Sequence, residues 1–134
     1  MEKNDEELSE ELAADVDKVL EKLENIPEYT LHEEQINQIK KGLVEEHKDV
    51  SIEELDELTE QTRRIELMKY DLMLMPSTPE LEAELKDQTR NITSMKYDLI
   101  FIKKIPKLAI GTLVNLVRQN ATIEYYATID IALS

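Results

Sequence analysis

Any reactive centre in this chain would have to be built from carboxylates. There are 30 acidic residues, two histidines (His32 and His47) and no cysteine. Without cysteine there is no disulfide and no thiolate chemistry. Neither histidine stands in a His-Glu-x-x-His or Glu-x-x-His pattern, so a zinc site would need carboxylates alone to complete it, an uncommon ligand set. Both histidines read as surface residues. Gly42 and Gly111 are the only glycines, too few for a phosphate-cradling loop, and there is no Gly-x-Ser-x-Gly elbow. One arrangement of acids has chemical content. Glu6-Glu7-Leu8-Ser9-Glu10 groups three carboxylates, and Glu46-His47-Lys48-Asp49 supplies two more.

Those nine residues resemble the Glu-Glu-x-x-Glu element and the later Glu-x-x-Asp of the all-α nucleotide pyrophosphohydrolases of the MazG kind. The resemblance implies that Glu6, Glu7 and Glu10 hold Mg²⁺ and that Glu46 and Asp49 complete the site from a later helix. It is the catalytic alternative. The rest of the chain argues for a non-catalytic protein with no cofactor and no metal.

The elements that would position any site are organised by an internal repeat. The segment Gln61 to Leu72, Gln-Thr-Arg-Arg-Ile-Glu-Leu-Met-Lys-Tyr-Asp-Leu, returns at Gln88 to Leu99 as Gln-Thr-Arg-Asn-Ile-Thr-Ser-Met-Lys-Tyr-Asp-Leu, with nine of the twelve positions identical. Ser51-x-x-Glu54 is a capping box that starts the first copy. Leu58, Gln61, Ile65, Met68, Leu72 and Met75 then recur at alternating spacings of three and four, one face of a helix. Pro76 stops it, and Ser77-Thr78-Pro79-Glu80 restarts a helix at once. The second copy carries the same seam in Leu85, Gln88, Ile92, Met95, Leu99 and Ile102, ending at Pro106. The expectation is an antiparallel helical hairpin over 51–105, the spine of an all-α helical bundle. Each copy turns apolar nearly all round at its end. That leaves two poles to be covered, by the rest of the chain or by a second subunit: Leu67, Tyr70, Met73, Leu74 and Met75 at the first, Tyr97 and Phe101 at the second.

Composition supports a single domain. Apolar residues make up 41% and charged residues 34%, with one Phe and no Trp, which favours helices over a sandwich or barrel. Within it, 1–50 reads as an acidic helix pair, with a capping box at Asn4 and Glu7, a stripe from Leu8 to Leu23, a break at Ile26-Pro27 and a second helix capped by Thr30 and Glu33. Residues 1–60 hold 21 acids against 6 bases, a net of −15; residues 61–134 hold 9 acids and 10 bases, a net of +1. Phosphates would be repelled by the acidic part, so nucleic acid is not an expected partner. Lys103, Lys104, Lys107 and Arg118, joined by Arg63, Arg64 and Arg90, form at most a small basic patch, more simply read as neutralising the acidic helices. No apolar run reaches the ~18–20 residues that span a bilayer, and no signal peptide is visible; a cytoplasmic protein is expected.

The last segment, 106–134, opens with a buried helix from Leu108 to Val117 that should end at Arg118-Gln119-Asn120. Beyond it Ile123, Tyr125, Ala127, Ile129 and Ile131 alternate with polar residues, so this stretch is open between a last helix and a strand pairing with its copy in another subunit. The function expected from all this is a protein-interaction or assembly module acting through helix packing on a protein partner, as a homodimer with Ile123, Tyr125 and Ile129 among its contacts. The alternative is an acidic inhibitor or nucleic-acid mimic directed at a basic partner.

Overall fold

The computed structural model describes residues 5–133, with the side chains of residues 5–9, 11 and 12 excepted. Asn4, the side chains of Glu6, Glu7, Leu8 and Leu12, and hence the first capping box and most of the Glu-Glu-x-x-Glu element lie outside the described residues. What is described is an all-α bundle: α1 (Asp5–Glu24), α2 (Pro27–Glu46), α3 (Ile52–Leu74), α4 (Pro79–Tyr97) running into a π-helical turn (Asp98–Ile102), and α5 (Lys107–Leu133). There is no strand among the described residues.

Local chemistry sets most helix ends. At α3, Ser51 Oγ accepts the Glu54 amide at 3.2 Å and the Glu54 carboxylate accepts the Ser51 amide at 3.3 Å, the expected capping box. Thr78 Oγ1 accepts the Leu81 amide at 3.2 Å, with Pro79 in the first turn of α4. At α2 the expectation fails. The helix starts at Pro27 rather than after Thr30, with Ile26 at the N-cap and no side-chain cap. Proline in the first turn sets φ for a helix and has no amide to leave unpaired. The Thr30 hydroxyl therefore lies one turn inside, where it donates to the Ile26 carbonyl at 3.4 Å.

The organising element is α5, not the expected 51–105 spine. It runs 27 residues, about 40 Å at 1.5 Å per residue, and packs against α2, α3 and α1. Ile110, Leu113, Val114, Val117, Ala121 and Ala127 are buried along one side of it, at the spacing of a core-facing helix. No charge interrupts it between Leu108 and Val117. The helix does not end at Arg118-Gln119-Asn120: Arg118 and Gln119 are exposed while Asn120 turns inward. Ile123, Tyr125 and Ile129 are half-buried helix residues, so the segment beyond residue 120 takes the helical of its two readings.

The two copies of the repeat take unlike environments. Ile65 and Ile92 are both buried, but Thr62 is buried and its counterpart Thr89 exposed. The copies part at their ends. Copy two widens at Asp98 into a π turn, with the Lys103 amide donating to the Asp98 carbonyl at 2.9 Å. The extra residue rotates the end of the segment by about 100°. Ile102, expected in the seam, is therefore exposed, and Ile105 takes the buried place. Lys104 adopts φ 61° and the Ile105 amide reaches the Leu99 carbonyl at 3.0 Å, a Schellman-type stop in which Leu99 and Ile105 meet in the core. Glycine is the usual residue at that position. Lys104→Gly should thus raise stability by about 1 kcal/mol despite glycine's unfolded-state entropy; chemical unfolding of the two proteins checks it, and a loss would mean that Lys104 is not strained.

Candidate functional site

Ten residues are expected from the sequence to contact a partner, and the fold divides them. Tyr70 and Tyr125 are spent on each other: their rings stack with centroids 4.5 Å apart and planes 13° apart, and the Tyr70 hydroxyl shares a 2.7 Å hydrogen bond with Thr122. The first pole is thus partly covered from within, by the C-terminal half of α5. Leu67, Ile123 and Ile129 are half-buried. Met73, Leu74 and Met75 form an open tip at the end of α3, 78%, 69% and 53% exposed. The second pole is left more open, because α5 leads away toward α2 and α3. Tyr97, Phe101, Ile102 and Leu108 stay on the surface, and the rings of Tyr97 and Phe101 lie 4.7 Å apart.

Tyr97 and Phe101 border a groove of about 300 Å³ between the end of α4 and the first turns of α5. Ile100 and Ile110 supply more apolar wall, Lys96 and Lys107 flank it, and Gly111 adds no side chain. At Thr93 and Lys96 the groove continues into a cleft of about 60 Å³ shared by α3, α4 and α5, where Lys69, Lys96 and Arg118 come together with Ile65 and Ile92. Burial, then Arg118 and Lys69, pull the Lys96 ammonium below the ordinary lysine pKa. A depressed cation costs stability at neutral pH, and the cost fades as pH rises through its lowered pKa toward the ordinary lysine value.

The basic patch expected from the sequence is therefore redistributed. Lys107 and Arg118 belong to this face, joined by Lys69 and Lys96, which are not among the expected residues. The arginines do not join it. Arg63 forks onto Glu124 at 2.9 and 2.6 Å and reaches Glu60 at 3.2 Å; Arg64 meets Glu60 at 3.4 Å and Arg90 meets Asp87 at 3.9 Å. The Arg63–Glu124 pair holds its guanidinium firmly charged. It sits in a polar cleft of about 160 Å³ with Tyr29, Lys40 and the buried Asn120, and burial, then Glu33 and Glu124, push the Tyr29 hydroxyl above its usual range. Lys40 is tied to Asp56 at 2.8 Å. Arg63–Glu124 ties α3 to α5 and Lys40–Asp56 ties α2 to α3, so the cleft clamps α2, α3 and α5 together.

Of the carboxylate pattern, only Glu10, Glu46 and Asp49 have described side chains. All three are exposed, and among the described residues no group of three or more His, Cys, Asp or Glu is placed to hold a metal. His32 and His47 are each half-buried rather than on the surface. No helix of the described residues is long and apolar enough to cross a membrane. Compared with known protein families, with curated proteins and with solved structures, the chain matches none.

Proposed function

We propose that this chain is a non-catalytic interaction or assembly module that works by helix packing and forms a homodimer. The observation that carries the reading is the exposed aromatic pair Tyr97 and Phe101 on the wall of an apolar groove, with Ile102 and Leu108 also exposed on the segments that follow. Isolated exposed apolar residues are ordinary, but a cluster of aromatic and branched side chains around a concavity is the usual form of a protein-binding surface. Aromatic residues add large contact area at small entropic cost. A cytoplasmic setting belongs to the same reading and rests on composition alone.

The test is the solution mass of the full chain beside that of Phe101→Asp/Ile102→Asp and of Met73→Asp/Met75→Asp. All four positions are exposed, so the melting curves should stay within about 0.5 kcal/mol of the parent. The parent should associate at micromolar concentration, and the Phe101/Ile102 variant should not. A parent that stays monomeric at high micromolar concentration ends the homodimer reading.

The acidic-mimic alternative draws on the charge of residues 1–60, a net of −15. Binding that rests on carboxylates alone collapses in high salt, since screening shortens the reach of charge to about 3 Å at 1 M. Binding through Phe101 and Ile102 keeps most of its strength there.

A further inference from the structure

We infer that the groove between α4 and the start of α5 receives α1 of a second copy of this chain. The inference rests on the assembly reading above and names the occupant. Charge is the first argument. In a chain of net charge −14, Lys69, Lys96 and Arg118 gather in the cleft that extends the groove, and Lys107 stands on its wall. Among the described residues Lys69, Lys96 and Lys107 make no ion pair, and Arg118 has only Glu66 at 4.0 Å. Cations left uncompensated in so acidic a protein, next to apolar walls, suit a ligand that presents carboxylates and hydrocarbon together. An acidic amphipathic helix is such a ligand.

The chain presents one. Helix α1 carries nine acids and two bases. Its own docking uses Leu23, which is buried, and Lys22, which is ion-paired with Asp130. Val16 and Leu20, one turn apart on one face, remain 49% and 52% exposed. Asp17 and Glu21 come one position after each, so two carboxylates border the apolar pair. The groove cannot be filled by the α1 of the same copy in its present position. Lys22 is anchored at Asp130, and Gly111 lies nineteen residues back along α5, about 28 Å away. The α1 of a second copy meets no such limit, and it needs no unfolding to offer Val16 and Leu20.

Charge reversal on the full chain tests this. In one variant Lys96→Glu and Lys107→Glu invert the groove; in a second, Asp17→Lys and Glu21→Lys invert α1; a third carries all four. In low salt each inverted variant should dissociate at least about tenfold more readily than the parent, and the third should regain most of the loss. Gly111→Leu should also weaken association without lowering the melting temperature, because a Cβ there meets nothing within 4 Å. Leu20→Asp should act likewise, which covers the case of a reversal variant that fails to fold. The inference is overturned if the four-fold variant stays dissociated, or if the parent's mass ignores every one of these changes. If Phe101→Asp/Ile102→Asp dissolves the dimer while the α1 variants leave it intact, the assembly reading stands and α1 is not the occupant.

Discussion

Leu113→Ala should lower the stability of this protein by about 3–4 kcal/mol. Leu113 is fully buried and sits on the side of α5 that packs against the rest of the bundle. Its removal forfeits both the transfer of the side chain and the contacts around the hole it leaves. Total stabilities of small domains are about 5–15 kcal/mol, so this single truncation takes a large share. Leu108 offers the internal contrast. It lies on the same helix, one turn and a half earlier, and is 82% exposed. Leu108→Ala should move stability by no more than about 0.5 kcal/mol. Denaturant unfolding monitored by circular dichroism measures both. A Leu113→Ala loss below about 1 kcal/mol would mean that α5 is not the element the fold is packed around.

How much of this is legible in the sequence varies with the range of the interaction. The caps at Ser51 and Thr78 are decided by residues three positions away, and the sequence shows them directly. So it does the burial of Ile65 and Ile92, which repeats at helical spacing. The C-terminal helix is open at that level because a short stretch of apolar residues, such as Ile123 to Ile131, fits a period of 2 and a period of 3.6 at once. Arg118-Gln119-Asn120 looks like an end when polarity is read along the chain. In space Arg118 and Gln119 face out while Asn120 faces in. The π turn at Asp98 carries no composition signal, and it moves Ile102 out of the seam. The cationic cleft does have a signal. Lys69 and Lys96 occupy the same position of the repeat, which marks them as a matched pair of cations, but only the packing of α3, α4 and α5 brings them into one cleft with Arg118. Tyr70 and Tyr97 also match in the repeat, yet only Tyr70 finds an aromatic partner on α5; that difference depends on where a distant helix lies.

The same cleft governs the outcome of putting a charge in the α3–α4 contact. Ile65→Asp and Ile92→Asp should each destabilise by about 3 kcal/mol, from lost burial and from desolvation of a carboxylate. Both isoleucines are buried, at 7% and 6% exposure. They are not surrounded by hydrocarbon alone, however, since Lys69, Lys96 and Arg118 line the cleft they share. A carboxylate placed there lands beside three cations, and opposite charge offsets part of its desolvation. Leu113 is fully buried in the apolar core and does not line that cleft, so Leu113→Asp should cost several kcal/mol more than Ile92→Asp. Asparagine separates charge from size. At position 92 aspartate and asparagine should differ by less than about 1 kcal/mol, whereas at position 113 aspartate should be worse by several kcal/mol. High salt should widen the gap at position 92 against aspartate, since screening weakens its attraction to the lysines. Melting curves of the four variants at two salt concentrations decide it. If Ile92→Asp proves as damaging as Leu113→Asp, the three cations do not reach that site.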